Sequence, residues 1–445
     1  MVGEFTAFIK NQTLFTENDT ILLAVSGGID SVVMAHLFAQ SSYRFAIAHA
    51  NFRLRGEASD EDEQWVAALA KKYQVPFHTQ QFATSENANE QGISIQMAAR
   101  QLRYDWFEKV QKEHNYAYLA TAHHQDDQLE TTLLNLCQGT GIAGLRGMLV
   151  RRGNVVRPML FARRNRIEAY AREHQLTWRE DRSNASDTYH RNRIRHHVIP
   201  QLQQINPSLL TTYQSTQERL LATEQLLANE VKRVEGQCRR DTDDEVWLDK
   251  AVLKKHSQLP LILGEILRAF GFSYVQSRDV ARCVKSEAIA GKTFTSGAYT
   301  LVVDRQYLII SQEKRLPSQS LLIQSSDTQL LLPLMSLSFT SYAVKDYSLR
   351  PYSEVAAIDR DLLSFPLNIR PWQAGDWFYP LGMEHRKKVS DLLIDQKIPL
   401  HRKPFIQVIT SAEAIVWVVD VRIDHRFRIT DQTRTVYEIS VTNSR

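Results

Sequence analysis

ILLAVSGGIDSVVMAHLF, residues 21–38, decides the fold. The unbroken apolar run Ile21, Leu22, Leu23, Ala24 and Val25 reads as a short strand buried in a sheet. Ser26, Gly27, Gly28, Ile29, Asp30 and Ser31 form a small, Gly-rich turn, and Val32, Val33, Ala35, His36 and Leu37 read as the first turns of a helix packed on that sheet. A strand feeding such a turn into a helix N-terminus builds an anion site. The first helical N–H groups have no intrahelical partner, and the helix dipole adds about half a positive charge. Two glycines let the backbone approach a phosphate closely, and two serines add hydroxyl donors. An acid inside the loop, Asp30, sets the stretch apart from an ordinary strand-to-helix turn. No GxxxxGK[ST] is present, so this is not a Walker A loop.

Outward from this loop the chain alternates strand and helix. Residues 45–50 (FAIAHA), 75–78 and 118–122 read as further strands. An acidic helix start at 59–63 leads into Trp65, Val66, Ala68 and Leu69. Residues 95–110 are patterned as a helix, with Met97, Leu102, Trp106 and Val110 on or near one face. The alternation predicts an α/β domain, a doubly wound parallel sheet with helices on both faces and ligands beyond the carboxyl ends of the strands. Three polar clusters follow predicted strand ends and are expected to converge: 26–31, 49–55 and 123–130. The last, within ATAHHQDDQLETT (120–132), places Asp127 and Glu130 at helical spacing, so both carboxylates can share one face. Helix-end capping accounts for one or two acids; two histidines, two aspartates and a glutamate in eight residues exceed that. A metal site is a second reading of the same cluster.

The composition bounds the rest. At 445 residues, two or three domains are expected. A net charge of +4 does not by itself indicate nucleic acid. Three cysteines, Cys137, Cys238 and Cys283, with no CxxC, argue against a disulfide scaffold, a zinc ribbon or a redox centre and suit a reducing cytoplasm. The N-terminus shows no signal pattern, and no apolar stretch reaches the roughly 20 residues of a membrane span, so a cytoplasmic protein without a membrane partner is expected.

Positive charge is concentrated locally. Residues 146–200 carry 13 arginines and no lysine against five acids, Glu168, Glu173, Glu180, Asp181 and Asp187, with Tyr170, Trp178 and Tyr189 interspersed. Arginine forks pair with phosphate and stack on exposed bases, so this stretch, above all Arg191, Arg193 and Arg195, is a candidate RNA surface. The alternative for 163–172 is a solvated helical face. Pro200 and Pro207 mark a boundary. Beyond them, 215–234 reads as an amphipathic helix with Leu220, Leu227, Val231 and Val234 on its packing stripe. Residues 261–270 and 274–284 read as helices, and 294–310 as a hairpin with Gly297 near its turn. QEKRLPSQS (312–320) reads as a linker, and mostly short strands follow. The expected division is 1–205, a mainly helical middle domain 206–311 and a small β-rich domain 321–445. In the last, Arg370, Lys387 and Lys388 suit phosphate contacts, as do Lys397, Arg402 and Lys403.

SGGIDS resembles the pyrophosphate loop of the ATP pyrophosphatase (PP-loop) superfamily, which cleaves ATP between the α and β phosphates and activates an oxygen by adenylation. The resemblance makes Asp30 the magnesium ligand and Ser26–Ser31 with His49 the ATP-binding set. HANFRLRGE (49–57), ARQLRYDWF (99–107), ATAHHQDDQLETTLLNL (120–136), GTGIAGLRG (139–147), Arg157-Pro158 and DRSNASDTYHRNRIRHHVIP (181–200) follow in the order of the tRNA(Ile)-lysidine synthetase family, to which the chain is similar over nearly its whole length, most weakly over 237–364. Two positions depart from the family pattern: Phe52, where many members have histidine, and Asp420, where glycine is common.

This resemblance implies an ATP- and magnesium-dependent ligase. It adenylates the position-2 oxygen of the wobble cytidine, position 34, in the isoleucine tRNA with a CAU anticodon. Free L-lysine then displaces AMP to form lysidine, which reads AUA rather than AUG. Asp127 and Glu130 match the family's lysine-recognising acids, and with Asp30 they form the expected catalytic set. The attacking amine must lose a proton, and an acid that first binds it is positioned to accept one. Arg100 and Arg103 are candidates for phosphate or for the lysine carboxylate. The rival readings are another adenylating enzyme of the superfamily, such as a tRNA thiolase, which would need sulfur-carrying cysteines, and a non-catalytic tRNA-binding protein. Oligomeric state, a homodimer included, is left open by the sequence.

Overall fold

The computed structural model describes residues 1–179, 190–242, 244–286, 291–312, 320–332, 335–348, 355–398 and 402–443. Most of the expected linker, residues 313–319, lies outside them. So do Glu180, Asp181, Asp187 and Tyr189. The chain forms two compact units, Met1–Leu227 and Ala228–Arg445.

In chain order the first unit holds α1 (Val2–Asn11), β1 (Thr20–Ala24), α2 (Ile29–Ala39), β2 (Arg44–Asn51), α3 (Glu57–Tyr73), β3 (Phe77–Gln81), α4 (Thr84–Gln91), α5 (Ile95–His114) and β4 (Tyr118–Ala120). Next come α6 (Gln125–Gln138), α7 (Ile142–Leu145), β5 (Arg151–Arg152), β6 (Val155–Val156), α8 (Arg164–Glu173), α9 (His190–Arg193), a π-helical turn Ile194–Val198, α10 (Ile199–Ile205) and α11 (Leu209–Cys238), which continues into the second unit. The sheet order is β3-β2-β1-β4-β6-β5, parallel throughout except for the edge strand β5.

The run at 21–25 is continuously apolar because β1 is covered on both faces. Ile21 and Leu23 pack with Phe5, Ile9, Val33, Leu37, Val66 and Ile167 from α1, α2, α3 and α8. Leu22 packs with Ala46, Ala48, Leu119 and the α5 side chains Trp106, Phe107 and Val110. Each such side chain removed from water contributes about 1.5–3 kcal/mol, so the strand that leads into the loop at 26–31 is firmly anchored in the sheet. Met97, expected on the packing face of α5, is 60 % exposed; Ala98 and Ala99 take the buried positions instead. Pro200 falls in the first turn of α10 rather than at a boundary. Lacking an N–H, it cannot donate to the preceding turn, and the π turn lies immediately before it. The helix break falls at Pro207, between α10 and α11.

In the second unit, β7 (Arg239–Asp241), β8 (Glu245–Asp249), β9 (Thr293–Thr295), β10 (Tyr299–Val303) and β11 (Tyr307–Gln312) form an antiparallel sheet in the order β7-β8-β11-β10-β9, accompanied by helices Leu259–Arg268 and Tyr274–Lys285. Gly297, at φ +71, sits in the β9–β10 turn. The remainder is β-rich. A five-stranded and a four-stranded sheet share a core of Ile323, Leu337, Ile358, Ile369, Trp417, Tyr437 and Ile439. No helix among the described residues is long and apolar enough to cross a membrane.

Candidate active site

The three polar clusters do converge. Beyond the carboxyl ends of β1, β2 and β4 lies a cavity of about 570 Å³ whose lining includes Ser26, Gly28, Asp30, Ser31, His49 and His123. It stands where the sheet order reverses around β1, the switch point at which open α/β sheets bind ligands.

The loop is held from inside. Ser31 Oγ donates to the Gly28 carbonyl at 2.8 Å and accepts from the Ser26 N–H at 3.2 Å. Gly27 has φ +92, a backbone conformation that L side chains rarely adopt. Its carbonyl accepts from the Arg179 N–H at 2.9 Å. Arg179 in turn donates to Asp62 and Glu61 at 2.7 Å each, and Arg55 reaches the other oxygen of Asp62. The acidic start of α3 therefore clamps the residues around the phosphate loop. His49 is buried, and its Nδ1 lies 2.9 Å from the Val25 carbonyl. Burial pushes its pKa down, so its imidazole is neutral near pH 7.

Asp30 follows the loop in the first turn of α2. Its Oδ2 accepts from Arg164 Nη1 at 2.6 Å, while Oδ1 is buried without a hydrogen-bond partner among the described residues. Burial raises its pKa against the opposing pull of His124 and Arg164. A bare carboxylate oxygen beside an anion-binding loop fits a hard cation that takes its other ligands from phosphate and water. Among the described residues no three histidine, cysteine or acidic side chains are grouped to hold a metal ion.

His124 links the loops after β1 and β4. Its Nε2 lies 3.7 Å from Asp30 and 3.5 Å from Asp127, and its Nδ1 lies 3.5 Å from Asp126. Burial disfavours its charge, but the three carboxylates outweigh that and raise its pKa. Asp126 caps α8 by accepting from the Arg164 N–H at 2.8 Å, which aims Arg164 at Asp30. His124 and Arg164 were not among the expected site residues. Arg164 lay in a helical face that reads as solvated, and only its partner 134 positions earlier reveals its use.

Asp127 and Glu130 are buried on α6, Glu130 to 1 % exposure. Asp127 does cap α6, accepting from the His124 N–H at 2.9 Å, and it also accepts from Arg191 at 2.8 Å. Glu130 accepts from Arg191 Nε at 2.7 Å and from Arg195 Nε at 2.5 Å. Burial alone would raise the Asp127 pKa; His124 and Arg191 outweigh it and hold the group below the usual carboxylate range. Two arginines read from sequence as an RNA surface thus face inward onto the two acids. Arg193 is exposed and has no partner among the described residues. Arg100 and Arg103 line the cavity without a carboxylate partner among the described residues, each guanidinium 5.0 Å from a ring centroid, Tyr104 and Phe52 respectively. Phe52, the departure from the family pattern, stacks on Phe82 at 5.7 Å.

In the β-rich region, Arg370 is committed to Asp376 by two bonds of 2.8 and 2.9 Å, and Lys387 pairs with Asp395. Lys388 is exposed and unpaired among the described residues. The cysteines are free, and burial pushes the Cys238 thiol up to about 11.

Comparison with known proteins places the chain in a family. Residues 2–202 match the PP-loop domain family, 241–314 the TilS substrate-binding domain and 367–439 the TilS C-terminal domain. The tRNA(Ile)-lysidine synthase of Parabacteroides distasonis is 36% identical over 440 residues, covering 98% of each chain. That of Porphyromonas gingivalis strain W83 is 34% identical, covering 96% of this chain and 95% of its own. The chain belongs to the tRNA(Ile)-lysidine synthase family. It is accordingly an ATP-dependent ligase of the PP-loop superfamily. The cavity beside Ser26–Ser31 is lined by residues dispersed over about 170 positions of chain.

Proposed function

We propose that the chain joins free L-lysine to the wobble cytidine, position 34, of the isoleucine tRNA bearing a CAU anticodon, through a cytidine adenylated on its position-2 oxygen, with release of pyrophosphate and AMP. The observation that carries this reading is the placement of an anion-binding loop and a bare Asp30 oxygen beside two buried acids, in a chain related over its full length to tRNA(Ile)-lysidine synthases. ATP supplies the activating adenylyl group and magnesium offsets charge at the phosphates. Ser26, Gly27, Gly28, Ile29 and Ser31 would cradle phosphate, with His49 neutral beside them, and Asp30 would hold the metal. Arg100 and Arg103, whose guanidiniums have no carboxylate partner among the described residues, would take phosphate or the lysine carboxylate.

Asp127 and Glu130 would receive the lysine ammonium. Both are neutralised by Arg191 and Arg195, so an arriving ammonium replaces a guanidinium rather than meeting a bare charge. Arg193 and Lys388 present free cations for tRNA phosphates. Arg191, Arg195, Arg370 and Lys387 would act there only by exchanging a carboxylate for a phosphate. Regions 206–311 and 321–445 would contact the tRNA body.

The test is incorporation of labelled lysine into the isoleucine transcript with ATP and magnesium, against a methionine tRNA control. Labelling of the isoleucine transcript alone, lost when its wobble cytidine is replaced, is the expected result. Pyrophosphate release without lysine incorporation would overturn the nucleophile and leave the adenylation.

A further inference from the structure

His123 lines the cavity, follows the end of β4, and has no role in the scheme above. Its Nδ1 lies 2.9 Å from Thr121 Oγ1. Its Nε2 has no hydrogen-bond or ion-pair partner among the described residues, and the residue lines the cavity. Of the other proton acceptors nearby, Asp30 is assigned to the metal in the scheme above. Asp127 is held by the His124 N–H and Arg191, and Glu130 by Arg191 and Arg195; neither carboxylate is part of the cavity lining. His49 is fastened to the loop backbone at Val25.

We propose that His123 is a further catalytic residue of the lysine-transfer reaction proposed above: with its Nδ1–H donated to Thr121 Oγ1, its Nε2 lone pair takes a proton from the attacking amine. The neutral lysine amine bonds through its nitrogen lone pair to C2 of the activated cytidine. Nε2 accepts one proton from that nitrogen. The second proton stays on that nitrogen; the C2–O bond breaks, its electron pair leaves with the oxygen on AMP, and the imidazolium then releases its proton to water.

The surroundings keep the base unprotonated until it is needed. Burial pushes the His123 pKa down to about 4, with Arg157, Arg191 and His124 acting in the same direction and Asp127 against them. So weak a base would not deprotonate a free ammonium efficiently. A nitrogen already bonded to an electron-poor ring carbon is far more acidic, and for that proton a neutral imidazole suffices. The step therefore belongs to addition, not to lysine capture, which stays with Asp127 and Glu130.

His123→Asn and His123→Ala test this, with wild type in parallel. At saturating lysine, transfer falls about 100-fold or more, while tRNA-dependent pyrophosphate release and the KM for lysine stay within a few-fold. Added imidazole restores transfer in His123→Ala with saturation, and does less for His123→Asn, whose side chain fills the space. Equal loss of pyrophosphate release and transfer, a loss confined to KM, or a kcat loss that imidazole does not relieve assigns His123 a structural role and overturns the proposal. Wild-type protein that releases pyrophosphate but transfers no lysine removes the underlying reaction along with it. Active wild type with unimpaired variants removes the His123 role alone.

Discussion

Asp30 and Glu130 are carboxylates in different surroundings. Asp30 keeps one buried oxygen without a hydrogen-bond partner among the described residues, with His124 3.7 Å away, whereas both oxygens of Glu130 are taken by guanidinium forks. Asp30→Ala is therefore expected to lower AMP formation by at least about 100-fold, the scale of losing one electrostatic stabiliser, while tRNA retention on a filter changes little. Near-normal turnover in that variant would take the metal away from Asp30. Glu130→Gln keeps the shape and removes the charge. We expect the KM for lysine to rise about tenfold or more, the cost of one charged contact, with the KM for ATP nearly unchanged; an equal rise in both would deny Glu130 any selectivity for lysine. The same change strands two guanidiniums. Because each is about one-third exposed, the cost should be about 1–3 kcal/mol, below that of breaking a fully buried pair, and visible as a lowered Tm. The acids themselves were legible in HHQDDQLE; their partners were not, since Arg191 and Arg195 lie more than 60 positions away and read equally well as an RNA surface.

At the scale of elements, the phosphate loop depends on the geometry at both ends of α2. At its start, a methyl group on Gly27 would meet nothing nearer than 3.7 Å, but φ is +92, so Gly27→Ala is limited by backbone strain of about 1–2 kcal/mol rather than by collision. A loop that relaxes to relieve it loses its approach to phosphate, and the Tm increase given by saturating ATP should shrink accordingly; an undiminished increase would show that this backbone conformation is dispensable. Towards its other end, His36 is enclosed by Tyr170, His174, Tyr73 and Lys72, with Nδ1 3.1 Å from the Tyr170 hydroxyl. Burial lowers its pKa below 6.5, with His174 and Lys72 adding to the shift. The unfolded chain therefore binds the extra proton first. Stability associated with neutral His36 is whole above pH 6.5 and declines as the pH falls towards the lower folded value. His36→Gln should lose less Tm than wild type between pH 7.5 and 5.5, as read by thermal melts. The strands around this helix were legible because a doubly covered strand must be apolar throughout. The strands β7 and β8 were not, since RRD and EVWLD are too short and too polar to alternate visibly. Asp420 explains itself only in three dimensions: it has φ +62, the conformation that makes glycine common at its position.

Across the whole molecule, sequence charge and usable charge differ. The arginine-rich stretch 146–200 spends much of its charge internally: Arg146 on Glu224, Arg164 on Asp30 and Glu168, Arg166 on Glu4, Arg179 on Glu61 and Asp62, and Arg191 and Arg195 on Asp127 and Glu130. Counting residues overstates the RNA surface because pairing is decided by the fold. Free cations should govern the salt dependence of tRNA binding, since each phosphate contact releases condensed counterions. Arg193→Gln in the first unit and Lys388→Gln in the second are each expected to reduce the slope of log affinity against log salt by about 1, with Tm unchanged. Arg370→Gln should do the reverse. It leaves Asp376, which also accepts from the Gln373 N–H at 2.7 Å, without its fork, so Tm falls while the salt slope stays put. Titrations of labelled isoleucine tRNA at several salt concentrations, paired with thermal melts, separate the two classes. If Arg370→Gln lowers the slope and leaves Tm intact, its pair with Asp376 opens on the RNA, and the paired arginines of the first unit should then be counted as RNA ligands as well.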